Sequence, residues 1–155
     1  MDGLLIIDKP AGVTSFDVVR TLRRCCRTRK IGHAGTLDPL ATGVLPVAIG
    51  QATRLIEYMM AGEKVYQTTL RLGVATDTQD AEGRIVAEAD WQSVSREALD
   101  VACAALTGRI SQVPPMYSAI KQNGQPLYRL ARQGIEVERE ARNVTIEQIE
   151  VLRFQ

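Results

Sequence analysis

The feature that most constrains this chain is the fourteen-residue stretch from Gly32 to Leu45, Gly-His-Ala-Gly-Thr-Leu-Asp-Pro-Leu-Ala-Thr-Gly-Val-Leu. It crowds three glycines, one proline, the sole histidine and a single carboxylate together. A segment of this kind does not read as a core element. Glycine at three places marks backbone that bends sharply or approaches something closely, and Pro39 biases Asp38 away from helical dihedrals toward an extended one. Ile31 precedes the stretch, and Val44 to Ile49 continue from it as an apolar run of strand length. The expectation is a constrained loop that presents one acid, Asp38. Taken alone, an Asp-Pro pair is more often a turn whose carboxylate bonds nearby amides, and a loop histidine such as His33 can equally bond to nearby backbone.

The 155 residues are 45% hydrophobic and 24% charged, which fits one ordinary soluble domain with its own core. No apolar run approaches the roughly 20 residues needed to cross a bilayer, and no basic segment followed by a signal-type apolar stretch opens the chain. A cytoplasmic protein is expected, without a membrane partner. Cys25 and Cys26 are adjacent and Cys103 stands alone, with no Cys-x-x-Cys pair and no second histidine, so neither a metal site nor a structural disulfide is expected. Nineteen basic residues against eighteen acidic ones give a net charge of +1, which says nothing for or against a nucleic acid. The distribution says more.

Leu4 to Ile7 read as a buried strand, broken by Lys9-Pro10-Ala11-Gly12. A helix follows, with Thr14 or Ser15 as N-cap, Asp17 in the first turn, and Phe16, Val19, Leu22 and Cys26 at helical spacing. Arg20, Arg23, Arg24 and Arg27 share the other face, and Arg29 and Lys30 extend it toward the glycine loop. A like-charged face is usually only solvated, but this one leads into the segment bearing Asp38. A polyanion held there would lie beside the carboxylate, so an RNA-backbone footprint is expected.

Beyond Ile49, Gln51 to Ala61 reads as a helix and Lys64 to Gly73 as a strand in which Tyr66 is half-buried. The acidic run Asp77 to Gly83 invites a calcium loop, yet counting from Asp77 puts Ala81 at position 5 and Glu82 where the glycine belongs. A polar turn with Arg84 to Glu88 as the returning strand is expected. Ser95 to Leu106 forms a helix with Ala98, Leu99, Ala102, Ala105 and Leu106 inward. Val113 to Lys121 begins with a proline break and continues as a strand, and Asn123-Gly124 makes a hairpin turn. Pro126 to Arg132 is a short helix, and Val144 to Phe154 a final strand. No repeat or linker divides the chain. The expected fold is α+β, a mixed, mostly antiparallel sheet flanked by helices, with the Asp38 loop over a cleft.

The stretch Gly32 to Leu45 resembles the signature of the TruB family of tRNA pseudouridine synthases, which also includes the catalytic subunits of guide-RNA-directed pseudouridylation complexes. Lys9 to Ser15, Lys64-Val65-Tyr66, Tyr117-Ser118-Ala119 and Ala131 to Val137 carry the likeness along nearly the whole chain. It implies a pseudouridine synthase fold, and an enzyme that isomerises a specific uridine in the T-arm stem-loop of tRNA without a cofactor. The glycosidic bond from ring nitrogen to ribose is cut, the base turns, and it is rejoined through carbon. Asp38 falls on the nucleophile position; one acid suffices, and water has to be kept from the detached base. The target base must leave its stack, which costs a few kcal/mol unless compensated. The resemblance gives His33 a part in holding the flipped RNA and makes Tyr66 an aromatic wall against the base. Lys9 and Lys64 read as structural or phosphate-contacting residues.

Family members continue further, with a basic residue that pairs with the aspartate and commonly a PUA domain. Residues 1–155 are therefore expected to be the N-terminal part of a catalytic domain, incomplete at Gln155. Two other readings stand beside it: a non-catalytic RNA-binding or RNA-remodelling module of the same fold, and a guide-RNA-dependent subunit acting on rRNA.

Overall fold

The computed structural model describes residues 1–155, whose contacts gather into two compact units, Met1–Thr68 and Thr69–Gln155. In the first unit, the apolar run at the N-terminus is the centre of β1 (Gly3–Lys9), followed by α1 (Ser15–Cys25), β2 (Ile31–His33) and β3 (Gly43–Ile49). The strands form one antiparallel sheet in the order β1-β3-β2. Leu45, Val47 and Ile49 alternate onto the face that meets Val19 of α1 and Ile31 of β2, and these five side chains are the buried core. Ile7, Val18, Leu22, Cys26 and Leu37 pack around it. β1 is not buried on both faces as expected: Ile6 is 66% exposed, because α1 covers only one side of the sheet.

A proline in a central strand needs an explanation, since it cannot donate to the ladder. Pro46 sits opposite Ile6 in β1, and its carbonyl accepts from Ala34 N at 2.8 Å. The β2–β3 register runs from Ile31↔Ile49 to His33↔Val47 and stops there. The next pair would require a hydrogen from the Pro46 nitrogen, which has none. The ladder thus ends at His33, and the chain leaves the sheet as the loop 34–42.

Helix α1 begins with a capping box. The Thr14 hydroxyl accepts from Asp17 N at 3.1 Å, and Thr14 N donates back to Asp17 Oδ2 at 3.0 Å. Of the two candidate caps, Thr14 takes the role and leaves Ser15 inside the first turn. After β3 come a 3-10 turn over Gly50–Leu55 and α2 (Ile56–Met60), the two halves of the single helix expected there.

Lys64 to Gly73 is not a strand. It alternates as a strand should, but it joins no ladder, its only backbone bond to a neighbouring segment being the one that Gly73 O accepts from Ala89 N at 3.0 Å, and every residue from Lys64 to Arg71 is exposed. Sequence alternation defines faces; it does not supply a ladder partner.

The second unit holds β4 (Val74–Thr76), β5 (Ile85–Glu88), α3 (Arg96–Ala105), β6 (Gly108–Gln112), β7 (Lys121–Gln122), β8 (Gln125–Pro126), α4 (Leu127–Arg132) and β9 (Arg142–Ile146). Its ladders β4-β5, β6-β9 and β7-β8 are all two-stranded and antiparallel. The β4-β5 connection is the polar turn read from the sequence: the Asp77 carboxylate accepts from Arg84 N and Nε, and Asp80 accepts from Glu82 N and the Thr78 hydroxyl. Asn123 and Gly124, with φ of 50° and 81°, turn β7 into β8. The strand expected over Val113 to Lys121 is not formed, since β6 ends at Gln112 and β7 begins only at Lys121, and α3 carries no buried residue although its apolar spacing is helical. The fold is α+β, with every ladder antiparallel. No helix is long and apolar enough to cross a membrane.

Replacing Thr14 by Ala should lower the stability of the first unit by about 1 kcal/mol, read as a shifted denaturant midpoint. The hydrogen bond from the Thr14 hydroxyl, then that from the Thr14 amide, and the charge of Arg20 hold the Asp17 carboxyl below its ordinary value of 3.8. A folded-state value depressed in this way contributes stability above the unfolded value that disappears as pH falls through the folded one. Asp17→Asn should therefore flatten the acid limb of a stability–pH curve below about pH 4 and leave the neutral-pH slope unchanged.

Candidate active site

The loop after β2 is fixed through its main chain. Three consecutive carbonyls around Asp38 each have a partner. Leu37 O accepts from the Ser15 hydroxyl at 3.1 Å, Asp38 O accepts from Ala41 N at 3.1 Å, and Pro39 O accepts from Gly12 N at 2.8 Å and from Lys9 Nζ at 3.3 Å. The amide of Leu37 in turn donates to Ser15 Oγ at 2.9 Å. Ser15 and Lys9 are almost wholly buried, at 2% and 0% exposure. At its ends the loop needs glycine, since Gly35 and Gly43 have φ of 114° and 115°, a region that side chains disfavour.

Asp38 itself is exposed, and no group of the chain hydrogen-bonds or ion-pairs with its carboxylate. The turn in which an Asp-Pro carboxylate caps its own backbone is not formed. Backbone order and side-chain freedom coincide at this one acid.

Lys9 lies between two segments. Besides Pro39 O, its ammonium donates to Pro10 O at 2.9 Å and Val13 O at 2.8 Å, so its three hydrogens all meet carbonyls and none faces solvent. Lys64 behaves similarly at the surface, donating to Met60 O and Gly62 O at the end of α2. Both lysines hold backbone.

His33 ends β2 and is partly buried. Its Nδ1 is hydrogen-bonded to Gly35 O. A carbonyl can only accept, which assigns the hydrogen to Nδ1 and leaves Nε2 for a partner outside the chain. His33 is thus both a backbone-bonding histidine and one with a free nitrogen, five residues before Asp38. Tyr66 is 70% exposed on the unpaired segment, and no hydrogen bond joins it to the Asp38 loop. The structure sets His33 at the end of the strand that leads into the Asp38 loop and gives Tyr66 no hydrogen bond to either residue.

Arg20, Arg23, Arg24, Arg27 and Arg29 line an open cleft along α1 and the turn that follows it. They are not equivalent. Arg20 pairs with Asp17 at 3.0 Å, and Arg20 and Arg23 lie over the Phe16 ring at 5.6 and 5.5 Å. Arg23 also donates to Ile31 O at 3.2 Å, which ties α1 to β2. The helix stops at Cys25, so Arg27 stands in the turn with φ 50° and not on the helical face predicted for it. Arg24, Arg27 and Arg29 are exposed and free of carboxylates. No group of three or more His, Cys, Asp or Glu side chains is placed to hold a metal ion.

Over residues 23–155 the sequence matches the family described as TruB family pseudouridylate synthase (N terminal domain). The chain belongs to the TruB family. It is 54% identical over 146 residues to tRNA pseudouridine synthase B of Geotalea uraniireducens (strain Rf4), a match covering 94% of this chain and 47% of that protein. With tRNA pseudouridine synthase B of Clostridium perfringens (strain 13 / Type A) it shares 51% identity over 155 residues, 100% of this chain and 53% of the relative. This TruB-family chain spans about half the length of the curated relatives it matches. Among solved structures, a chain of a Cbf5-Nop10-Gar1 complex is similar, with a TM-score of 0.61 and 27% identity, over 99% of this chain and 36% of that one. The fold is that of the pseudouridine synthases.

The residues that fix the TruB-family loop were only partly visible beforehand. Thr14 and Ser15 are two adjacent cap-type residues, and only one can be the N-cap, which was a signal that the other hydroxyl was free for a different partner. Lys9→Met should remove the ammonium donor from Pro10 O and Val13 O and leave Pro39 O to Gly12 N alone, lowering the stability of the first unit by about 1–3 kcal/mol, measured by chemical denaturation. Lys64→Met, at the surface, should change it by less than about 0.5 kcal/mol.

Proposed function

We propose that residues 1–155 are the N-terminal part of the catalytic domain of an enzyme that isomerises a specific uridine in the T arm of tRNA to pseudouridine, with Asp38 as the catalytic carboxylate. The observation that carries this reading is the Asp38 carboxylate itself: exposed, unpaired, and mounted on a loop whose neighbouring peptides are all held. A group that must meet an electron-poor ribose or a uracil ring gains from being positioned in advance, because orientation removes entropy from the barrier. No atom enters or leaves in the overall reaction. One bond between ring nitrogen and ribose is exchanged for one between ring carbon and ribose, and the hydrogen on that carbon is lost as the nitrogen gains one.

His33, through Nε2, supports the flipped RNA, and Tyr66 offers a phenol face to the extruded base, whose unstacking costs a few kcal/mol otherwise. The exposed guanidinium groups of Arg24, Arg27 and Arg29 favour an RNA backbone, each neutralised phosphate adding salt-dependent affinity. A tRNA substrate implies a cytoplasmic enzyme. The tRNA-type reading is supported over a guide-RNA-dependent one by 51–54% identity to the tRNA synthases against 27% to the Cbf5 chain. The arginine cleft also fits a second reading, an RNA-binding module without catalysis.

The two separate on one experiment. Asp38→Ala should abolish conversion of uridine in a T-arm stem-loop, scored by mass spectrometry of the RNA, with RNA affinity within about threefold of the parent. Binding with no conversion by the parent chain would favour the module. Arg24→Ala combined with Arg27→Ala should weaken RNA binding and reduce the slope of log K against log salt by about 1–2, whereas an unchanged slope removes that cleft as the footprint.

A further inference from the structure

Ser15 makes only one kind of contact with its hydroxyl, and both halves of it fall on the residue before Asp38. Its Oγ accepts from Leu37 N at 2.9 Å and donates to Leu37 O at 3.1 Å, across 22 positions of sequence. Helix capping does not account for the hydroxyl, because Thr14 fills the N-cap. Solvation does not either, since Ser15 is 2% exposed. The arrangement is that of a strand partner reduced to one atom: the hydroxyl supplies the acceptor and the donor that a neighbouring backbone would have supplied.

It grips both peptides of Leu37, the amide of the one that joins Thr36 to Leu37 and the carbonyl of the one that joins Leu37 to Asp38, and rotation of the second plane swings the Asp38 Cα–Cβ bond. Leu37 packs its side chain against the core of the first unit. Without Ser15 the side chain would remain anchored while the peptide plane turned freely. Lys9 and Gly12 restrain the far side of Asp38, at Pro39 O, and cannot replace this restraint.

We propose that Ser15 is a positioning residue for Asp38: its hydroxyl sets the direction of the carboxylate by holding the two successive peptides that meet at Leu37. The proposal rests on the reading of Asp38 as the catalytic group, and its first test does not depend on that reading.

In this chain, hydrogen exchange of the Leu37 amide should quicken about tenfold in Ser15→Ala, while the amides of Val19 and Val47 in the core keep their protection. Unchanged Leu37 exchange overturns the proposal, whatever the activity. In single-turnover assays on a T-arm stem-loop, Ser15→Ala should lose on the order of 10²-fold in rate at saturating RNA, the scale of a displaced catalytic group. RNA affinity, compared between Asp38→Asn and the double variant Ser15→Ala/Asp38→Asn, should stay within about twofold. Ser15→Cys, nearly isosteric with a weaker donor and acceptor, should fall between parent and Ala in both exchange and rate, and carries the same test if the Ala variant does not fold. A rate loss that disappears at high RNA concentration, or equal rates in parent and variants, overturns the proposal. If the parent converts no uridine, the functional reading of Asp38 falls, and the Leu37 exchange alone decides the role of Ser15.

Discussion

The first unit is built so that the peptide groups on either side of one acid are bonded while the acid is not. Leu37 is held by Ser15, Asp38 by Ala41, and Pro39 by Gly12 and Lys9. Each of these partners owes its place to a different element. Lys9 is the last residue of β1, Gly12 lies in the turn that follows, and Ser15 opens α1. The capping box at Thr14 and Asp17 fixes the start of that helix, and hence the height of Ser15 against the loop. An isolated loop rich in glycine would carry a large conformational entropy; here it is spent on folding, before any ligand arrives.

The same economy explains why the loop begins where it does. A strand that paired further would have drawn residues 34 onward into the sheet, and Pro46 denies it the next hydrogen bond. The glycines at 35 and 43 then let the backbone turn away from the sheet and back. His33 stands at that last paired position, with one ring nitrogen committed to the turn at Gly35 and the other uncommitted.

Much of this was legible in the sequence, for local reasons. Helix α1 was visible from the spacing of Phe16, Val19, Leu22 and Cys26 and from its cap, and the loop was visible from Gly35, Pro39 and Gly43, whereas Gly32, read with them, lies in β2 paired with Ala48. The acidic turn at Asp77 to Gly83 failed the calcium spacing, and its Asp77 and Asp80 carboxylates accept from Arg84, the Thr78 hydroxyl and the Glu82 amide. What escaped were properties of pairs distant in the chain. That Ser15 meets Leu37, that Lys9 meets Pro39, and that Arg23 is bound to Ile31 follow from packing of α1 on the sheet, which no local pattern encodes. Lys64 to Gly73 failed for the same reason in reverse, since its alternation was genuine and its partner strand was not there. Tyr66 was therefore read as half-buried and is open.

Every hydrogen bond that fixes the Asp38 loop ends on an amide or a carbonyl, with the Leu37 side chain packed against the core, and none ends on the side chain of Thr36, Leu40 or Thr42. None of the loop's hydrogen bonds consequently depends on the lettering at those three places. Exchanging those side chains removes none of the bonds that fix the bearing of the acid.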